Sequence, residues 1–234
     1  MDILFLGPPG AGKGTQSQRL AEALASPWLS TGVVLRRAVA EKTATGRKAK
    51  TFMDAGKYVP DEVLADLVRE ALARPECANG TVFDGYPRND AQAATLEALL
   101  AEKGRRVDLA VLVDAPEAVV VARLSGRRAC PKDGSVYHIE SARPRHAGKC
   151  DRCGTALVQR DDDKPETIVA RMTEYREKSV GLPDRYRKAG VLFEVDGTSG
   201  SPDAIFNRIR EAAGVASRRA AAAKKASGPP AGAP

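Results

Sequence analysis

The chain has 234 residues, 43% hydrophobic and 29% charged, with a formal net charge of +7. Such values exclude a wholly disordered, fibrous or collagen-like chain, and no run of about 18 apolar residues is present, so no membrane-spanning helix is expected. Arg218, Arg219, Lys224 and Lys225 carry four of the excess charges without an accompanying acid, leaving +3 for the body, a balance that suits a small anionic ligand as well as nucleic acid.

Asp2 to Leu6 is a short apolar run that ends in a Gly-Pro-Pro-Gly turn, which predicts a strand followed by a loop. The N-terminal stretch has no basic segment and no small-residue cleavage site, so the expected address is the cytoplasm. Leu20, Ala21 and Leu24 recur at helical spacing and predict a helix over Gly14 to Ala25. Thr31 to Lys57 reads as helical, basic and strandless, and Asp61 to Ala73 and Asp90 to Glu102 as further helices. Thr81 to Phe83, Leu109 to Val113 and Val191 to Val195 read as buried strands rich in Val, Ile and Leu. Arg127 to Asp163 has glycine, proline and charge but little periodicity. Asp163-Lys164-Pro165-Glu166 resembles an acidic N-cap with a glutamate three residues on, opening a helix to about Lys178. The segment from Ala216 to Pro234 is expected to be disordered. Strands alternating with helices predict an α/β fold with a doubly wound parallel sheet, on which Thr31 to Lys57 and Arg127 to Asp163 are insertions.

Gly7-Pro8-Pro9-Gly10-Ala11-Gly12-Lys13-Gly14-Thr15 carries the strongest chemistry. Glycines let backbone N–H groups turn inward around a phosphate, and the following helix adds the positive end of its dipole. Lys13 can reach the β- and γ-phosphates and the Thr15 hydroxyl can face Mg²⁺. Gly14 separates the lysine from the threonine, where most phosphate loops have Ser or Thr directly after Lys. Asp84 closes an apolar run at its C-terminal end, where α/β sheets place ligands, and is a candidate to hold Mg²⁺ through water.

Cys130-x₂-Asp133, a gap of sixteen residues, and Cys150-x₂-Cys153 have the ligand spacing of a zinc ribbon. Clustered cysteines in a cytosolic chain point to metal before disulfide. Four protein ligands would make such a zinc structural, and His138 is the rival to Asp133 as the fourth. Cys77 reads as an ordinary buried thiol.

The Gly-Lys-Gly-Thr form resembles the nucleoside monophosphate kinases, the adenylate kinases above all, and the likeness runs over residues 1 to about 215. Ser30-Thr31-Gly32 with Leu35-Arg36 resembles the family's monophosphate-binding segment, and Asp84-Gly85-Tyr86-Pro87-Arg88 its Asp-Gly-aromatic-Pro-Arg signature. Arg123 with Gly126-Arg127-Arg128 resembles the stretch entering the lid, Arg160, Asp162, Asp163 and Arg171 the stretch leaving it, and Gly197-Thr198 the loop at the ATP adenine.

The resemblance implies a P-loop core (1–30, 60–126 and 164–215), a helical AMP-binding arm (31–59), a zinc-ribbon-like lid (127–163) and an appended basic tail (216–234). It implies the reaction ATP + AMP ⇌ 2 ADP with Mg²⁺, with lid and arm closing over the substrates. The implied catalytic residues are Lys13, Asp84, Arg88, Arg123, Arg160 and Arg171. The implied ATP contacts are Gly10, Ala11, Gly12, Lys13, Gly14, Thr15, Arg123, Arg127, Tyr137, His138 and Ser199. AMP would meet Thr31, Arg36, Lys57, Val59, Gly85, Arg88, Gln92, Arg160 and Arg171, the Gln92 amide choosing the base. Arg127 is open between a phosphate contact and a lid ion pair, and Asp162 and Asp163 between attracting Arg123 or Arg160 and capping the next helix. Tyr137-His138 matches a family pair near ATP, which favours Asp133 over His138 for zinc. Val33 stands where adenylate kinases usually carry Asp. Gln92 and the long metal lid argue against a UMP or CMP kinase, and the scarcity of aromatics against a nucleic-acid partner. A monomer acting on ATP, AMP and ADP, with no membrane or nucleic-acid partner, is expected.

Overall fold

The apolar run Asp2–Leu6 forms a strand, β1, buried along its whole length, in a computed structural model that describes residues 1–226. Ile3 and Phe5 enter one core cluster and Leu4 and Leu6 the other, as period-two alternation requires of a strand covered on both faces. The glycine loop leads into α1 (Lys13–Ala23) and a short strand β2 (Trp28–Ser30). Three helices follow, α2 (Thr31–Ala40), α3 (Ala44–Asp54) and α4 (Asp61–Leu72). Next come β3 (Thr81–Asp84), α5 (Asp90–Ala101), β4 (Val107–Asp114) and α6 (Glu117–Ser125). An antiparallel pair, β5 (Arg127–Ala129) and β6 (Val136–His138), starts the cysteine-bearing insertion. The chain returns through α7 (Pro165–Lys178), α8 (Leu182–Lys188), β7 (Leu192–Asp196) and α9 (Pro202–Ala226).

The main sheet has the order β2-β3-β1-β4-β7, and every pairing in it is parallel. One face is covered by side chains of α2 to α5 and α8, such as Leu35, Ala49, Leu64, Leu96 and Tyr186. The other is covered by α1, α6, α7 and α9, through Leu20, Leu124, Ile168 and Ile209. The expected doubly wound sheet is present, and it gathers the loops after β1, β3, β4 and β7 at one edge. No helix among the described residues is long and apolar enough to cross a membrane.

Three elements were not legible as periodic runs. β2 has only three residues and gains its definition by pairing with β3, Leu29 opposite Phe83. α6 contains Val119, Val120 and Val121, which favour strands in isolation; burial of Val120 and Leu124, one helical turn apart, makes it a helix. α8 is seven residues held by buried Leu182 and Tyr186. The expectation of disorder from Ala216 is corrected as far as Ala226, where α9 ends. Ala213 and Ala216 are buried against the core, and alanine, arginine and lysine are strong helix formers that extend a helix once it is anchored. Residues 227–234 lie outside the described residues.

Candidate active site

The chain turns out of β1 at Gly7, whose φ is +124°, and a Cβ there would lie 2.0 Å from the Val113 carbonyl oxygen. Only glycine lets the loop run this close to β4. The loop reaches Gly12, the N-cap of α1, so the free N–H groups and positive end of that helix meet the cavity lined by Gly10 to Thr15. Lys13 Nζ donates to the Pro8 carbonyl at 2.6 Å, spanning its own loop. Burial lowers the Lys13 pKa to about 7; Asp84 opposes the shift, and Arg88, Arg171 and Arg127 add to it. A Cβ on Gly14 would sit 3.4 Å from Asp84 Oδ2, so the glycine between Lys13 and Thr15 leaves the face of that carboxylate open.

The cavity has a volume of about 870 Å³ and is lined by nine Lys or Arg side chains against three acids. Arg123 donates to the Ala11 carbonyl at 3.2 Å and to that of Gly197 at 2.8 Å, joining the phosphate loop to the loop after β7. Arg127 grips Asp163 through two nitrogens, at 2.7 and 2.5 Å, and Arg171 meets Asp162 at 3.1 Å and Asp163 at 3.4 Å. Arg127 thus makes the lid ion pair while also lining the cavity. Asp163 does not cap α7, which starts at Pro165 with no side-chain cap; its carboxylate, fully buried, is spent on arginines. Nor do Asp162 and Asp163 pair with Arg123 or Arg160.

Arg36 and Arg160 line the cavity and form no ion pair among the described residues. Burial lowers the pKa of Arg36. Burial, then Arg36 and Arg127, lowers that of Arg160 to about 9, and burial lowers Arg171 to about 10. Burial disfavours the ionised form of Asp162, yet the surrounding arginines outweigh it and hold its pKa below the usual range. Cations crowded together without matching acids are costly unless an anion joins them.

Asp84 Oδ2 accepts from Ser30 Oγ at 2.9 Å, and Oδ1 accepts no hydrogen bond among the described residues. Asp84 and Thr15 both line the cavity, Asp84 half-buried, an arrangement that fits a hydrated divalent cation. Lys57, Gly85, Tyr137 and His138 also line it, whereas Thr31, Val59, Gln92 and Ser199 do not. Thr31 donates to the Gly85 carbonyl, and Val59 packs in the core. Gln92 is buried, its Nε2 donating to Asp61 at 2.7 Å and its Oε1 accepting the Arg88 N–H at 2.8 Å. Its oxygen thus helps position Arg88, and one of its two amide hydrogens goes to Asp61.

Cys130, Asp133, Cys150 and Cys153 bring one ligand atom each to within 4.8 Å of one another. Two knuckles of the same shape present them. Gly134 N–H donates to the Cys130 carbonyl and Cys130 N–H to that of Ser135; Gly154 and Cys150 repeat this with Cys150 and Thr155. All four cysteines of the chain are free, and the 3.4 Å between Cys130 and Cys153 sulfurs is close to the roughly 3.8 Å that tetrahedral zinc sets between thiolates. The donor set therefore fits zinc. Tyr137 Oη lies 3.5 Å from Cys150 Sγ and accepts the Asp151 N–H, so it packs behind that candidate ligand. His138 lies outside this cluster, and its Nδ1 accepts the N–H groups of Glu140 and Ser141.

A family model described as adenylate kinase matches residues 5–191. The chain is 48% identical over 198 residues to the adenylate kinase of Archaeoglobus fulgidus, covering 85% of this chain and 91% of that one. It is 47% identical over 209 residues to that of Thermodesulfovibrio yellowstonii (89% and 97%) and 46% over 209 residues to that of Syntrophobacter fumaroxidans (89% and 98%). The chain belongs to the adenylate kinase family. It is therefore a nucleoside monophosphate kinase by family, with its phosphate loop and arginine cluster facing one cavity.

One contributor to this adenylate kinase cavity, Tyr58, escapes motif reading. Ser30 belongs to the Ser30-Thr31-Gly32 segment, but its bond to Asp84 follows only from the pairing of β2 with β3. Tyr58 lines the cavity between two residues that the resemblance does name. A bound polyphosphate favours the ammonium form of Lys13, so binding takes up a proton at pH above about 7 and weakens as pH rises. Calorimetry of ATP binding near pH 8 in two buffers of different ionisation enthalpy is expected to show this uptake. Lys13→Arg, which does not titrate, is expected to abolish it; equal uptake in both proteins assigns the proton elsewhere.

Proposed function

We propose that the chain transfers the γ-phosphoryl group of ATP reversibly to AMP, giving two ADP, with the roles of its side chains as follows. Lys13 and the N–H groups of Gly10 to Thr15 hold the ATP phosphates, with Arg123 and Arg127 beside them. Arg36 and Arg88 hold the AMP phosphate, and Arg160 and Arg171 lie between, where the moving group carries its charge. The observation that carries this reading is the single cavity in which a helix N-terminus, Lys13 and half-buried arginines converge, several of them without a protein carboxylate.

Phosphoryl transfer asks for alignment and charge neutralisation more than covalent help. Guanidinium groups suit it because they stay charged near neutral pH and grip phosphate through two nitrogens. Mg²⁺, when bound, would neutralise the β- and γ-phosphate oxygens, held by Asp84 through water and by Thr15. Arm and lid closure would keep water from the γ-phosphate. Packing of α3 against the Asp161–Asp163 turn supports such closure, since it already joins arm to lid exit. Zinc on Cys130, Asp133, Cys150 and Cys153 would serve the lid's structure alone. We include in the proposal a cytoplasmic monomer without nucleic-acid or membrane partners, a reading that the mild charge of the body supports.

Phosphorus NMR of ATP, AMP and Mg²⁺ with the protein is expected to show ADP resonances growing at the expense of both substrates, and faster than with UMP, CMP or GMP. Absence of ADP overturns the proposal.

A further inference from the structure

Tyr58 sits where the arm, the Asp84–Arg88 loop and α7 meet. Its ring lies under the Arg88 guanidinium, 4.8 Å from centroid to the guanidinium carbon. Its hydroxyl is 2.7 Å from Ser179 Oγ, and Ser179 Oγ donates to the Arg88 carbonyl at 2.5 Å. A serine hydroxyl has one proton. Since Ser179 gives its proton to Arg88, Tyr58 is the donor in the contact between the two hydroxyls. The Tyr58 backbone N–H donates to Glu174 Oε1 at 3.2 Å, which ties this part of the chain to α7.

Arg88 is consequently restrained on four sides. Gln92 accepts its N–H, Ser179 donates to its carbonyl, Gly85 accepts from its Nε at 2.8 Å, and Tyr58 lies against its face. Its two terminal nitrogens make no hydrogen bond among the described residues, and Arg88 lines the cavity. A two-pronged grip on phosphate depends on the plane of the guanidinium. An arginine already held in that plane gives up less conformational freedom on binding. Tyr58 supplies two of these restraints, one by its ring and one by its hydroxyl through Ser179.

We propose that Tyr58 is the positioning residue that pre-sets the Arg88 guanidinium for the AMP phosphate. This rests on the role proposed above for Arg88. A buried or half-buried cation–π contact sets the size of the effect.

The test compares Tyr58→Leu and Tyr58→Phe with wild type in AMP affinity by calorimetry, KM for AMP, KM for ATP and melting temperature. Tyr58→Leu is expected to weaken AMP about five- to tenfold, in affinity and KM alike. KM for ATP is expected to stay within about twofold, because Arg88 meets the other nucleotide. Tyr58→Phe keeps the ring and is expected to stay within about twofold of wild type for AMP. On an Arg88→Ala background, Tyr58→Leu is expected to add almost nothing to the loss of AMP affinity, the signature of one residue acting through the other. Additive losses, equal losses for AMP and ATP, or a Leu variant with wild-type AMP affinity overturn the inference. Arg88→Ala separates the two levels. If it leaves AMP affinity unchanged, the Arg88 role and the inference fall together; if it weakens AMP while Tyr58→Leu does not, the inference alone falls.

Discussion

Lys13→Ala is expected to lower turnover at least about 100-fold, the loss that follows removal of one pre-positioned charge at an electrostatic site. The ammonium sits at the base of the glycine loop with its Nζ on the Pro8 carbonyl, already placed for a β- or γ-phosphate, and no neighbouring lysine can replace it from the same loop. The loss should not come from unfolding. Burial lowers the Lys13 pKa from 10.5 to about 7 in the folded chain. A lysine whose folded pKa lies below its unfolded one weakens the fold wherever both states are protonated, below about pH 7, and that penalty fades as pH rises toward the unfolded value. Alanine removes the penalty, so the melting temperature is expected to hold or rise at pH 6 to 7. Single-turnover rates with the melting curve of the same sample check both halves. Near-normal turnover, or a collapse of the fold, contradicts the assignment.

Cys150→Ser is expected to release the metal from the lid and to lower the melting temperature. The insertion around Cys130 and Cys150 has few large apolar side chains: Val136, Ile139 and Val158 are exposed. Its two knuckles meet through the sulfurs and the Asp133 carboxylate. Zinc bound by small finger peptides is worth roughly 10–16 kcal/mol in apparent binding energy, more than such a segment gains by burial. Metal analysis of purified wild type is expected to give close to one equivalent of zinc, and Cys150→Ser much less. Wild type with under about a tenth of an equivalent contradicts the site. His138→Ala is expected to keep its zinc, since that imidazole is committed to the Glu140 and Ser141 N–H groups.

Most of the site was visible as spacing. The glycine loop, Asp84 to Arg88, and the paired Cys-x₂-Asp and Cys-x₂-Cys knuckles are each local: a few neighbouring residues suffice to shape them, so they survive as text. The buried strands around β1 were legible for the same reason, because double coverage leaves an unbroken apolar run. What depends on a distant partner was not. Asp163 reads as a helix cap from its neighbours, yet Arg127, 36 residues away, takes its carboxylate. Gln92 reads as a base-selecting amide, and its Nε2 also ties it to Asp61, 31 residues away, a contact its neighbours do not announce. The segment after Ala216 reads as solvated tail, yet burial of Ala213 and Ala216 carries α9 on to Ala226.

The amino-acid sequence by itself therefore determined the α/β class, the phosphate loop and the metal-ligand spacing, since these arise from periodicity and short-range geometry. Only the tertiary structure decided which arginines are paired and which are left facing the cavity. It also placed the Asp133 carboxylate, and not the His138 ring, among the three clustered cysteines, and it brought Tyr58, Ser179 and Arg88 into one network. The physical reason is that a side chain's partner is chosen by chain closure over many residues, and in a buried, crowded cavity each carboxylate or amide can satisfy only the donors that closure brings to it.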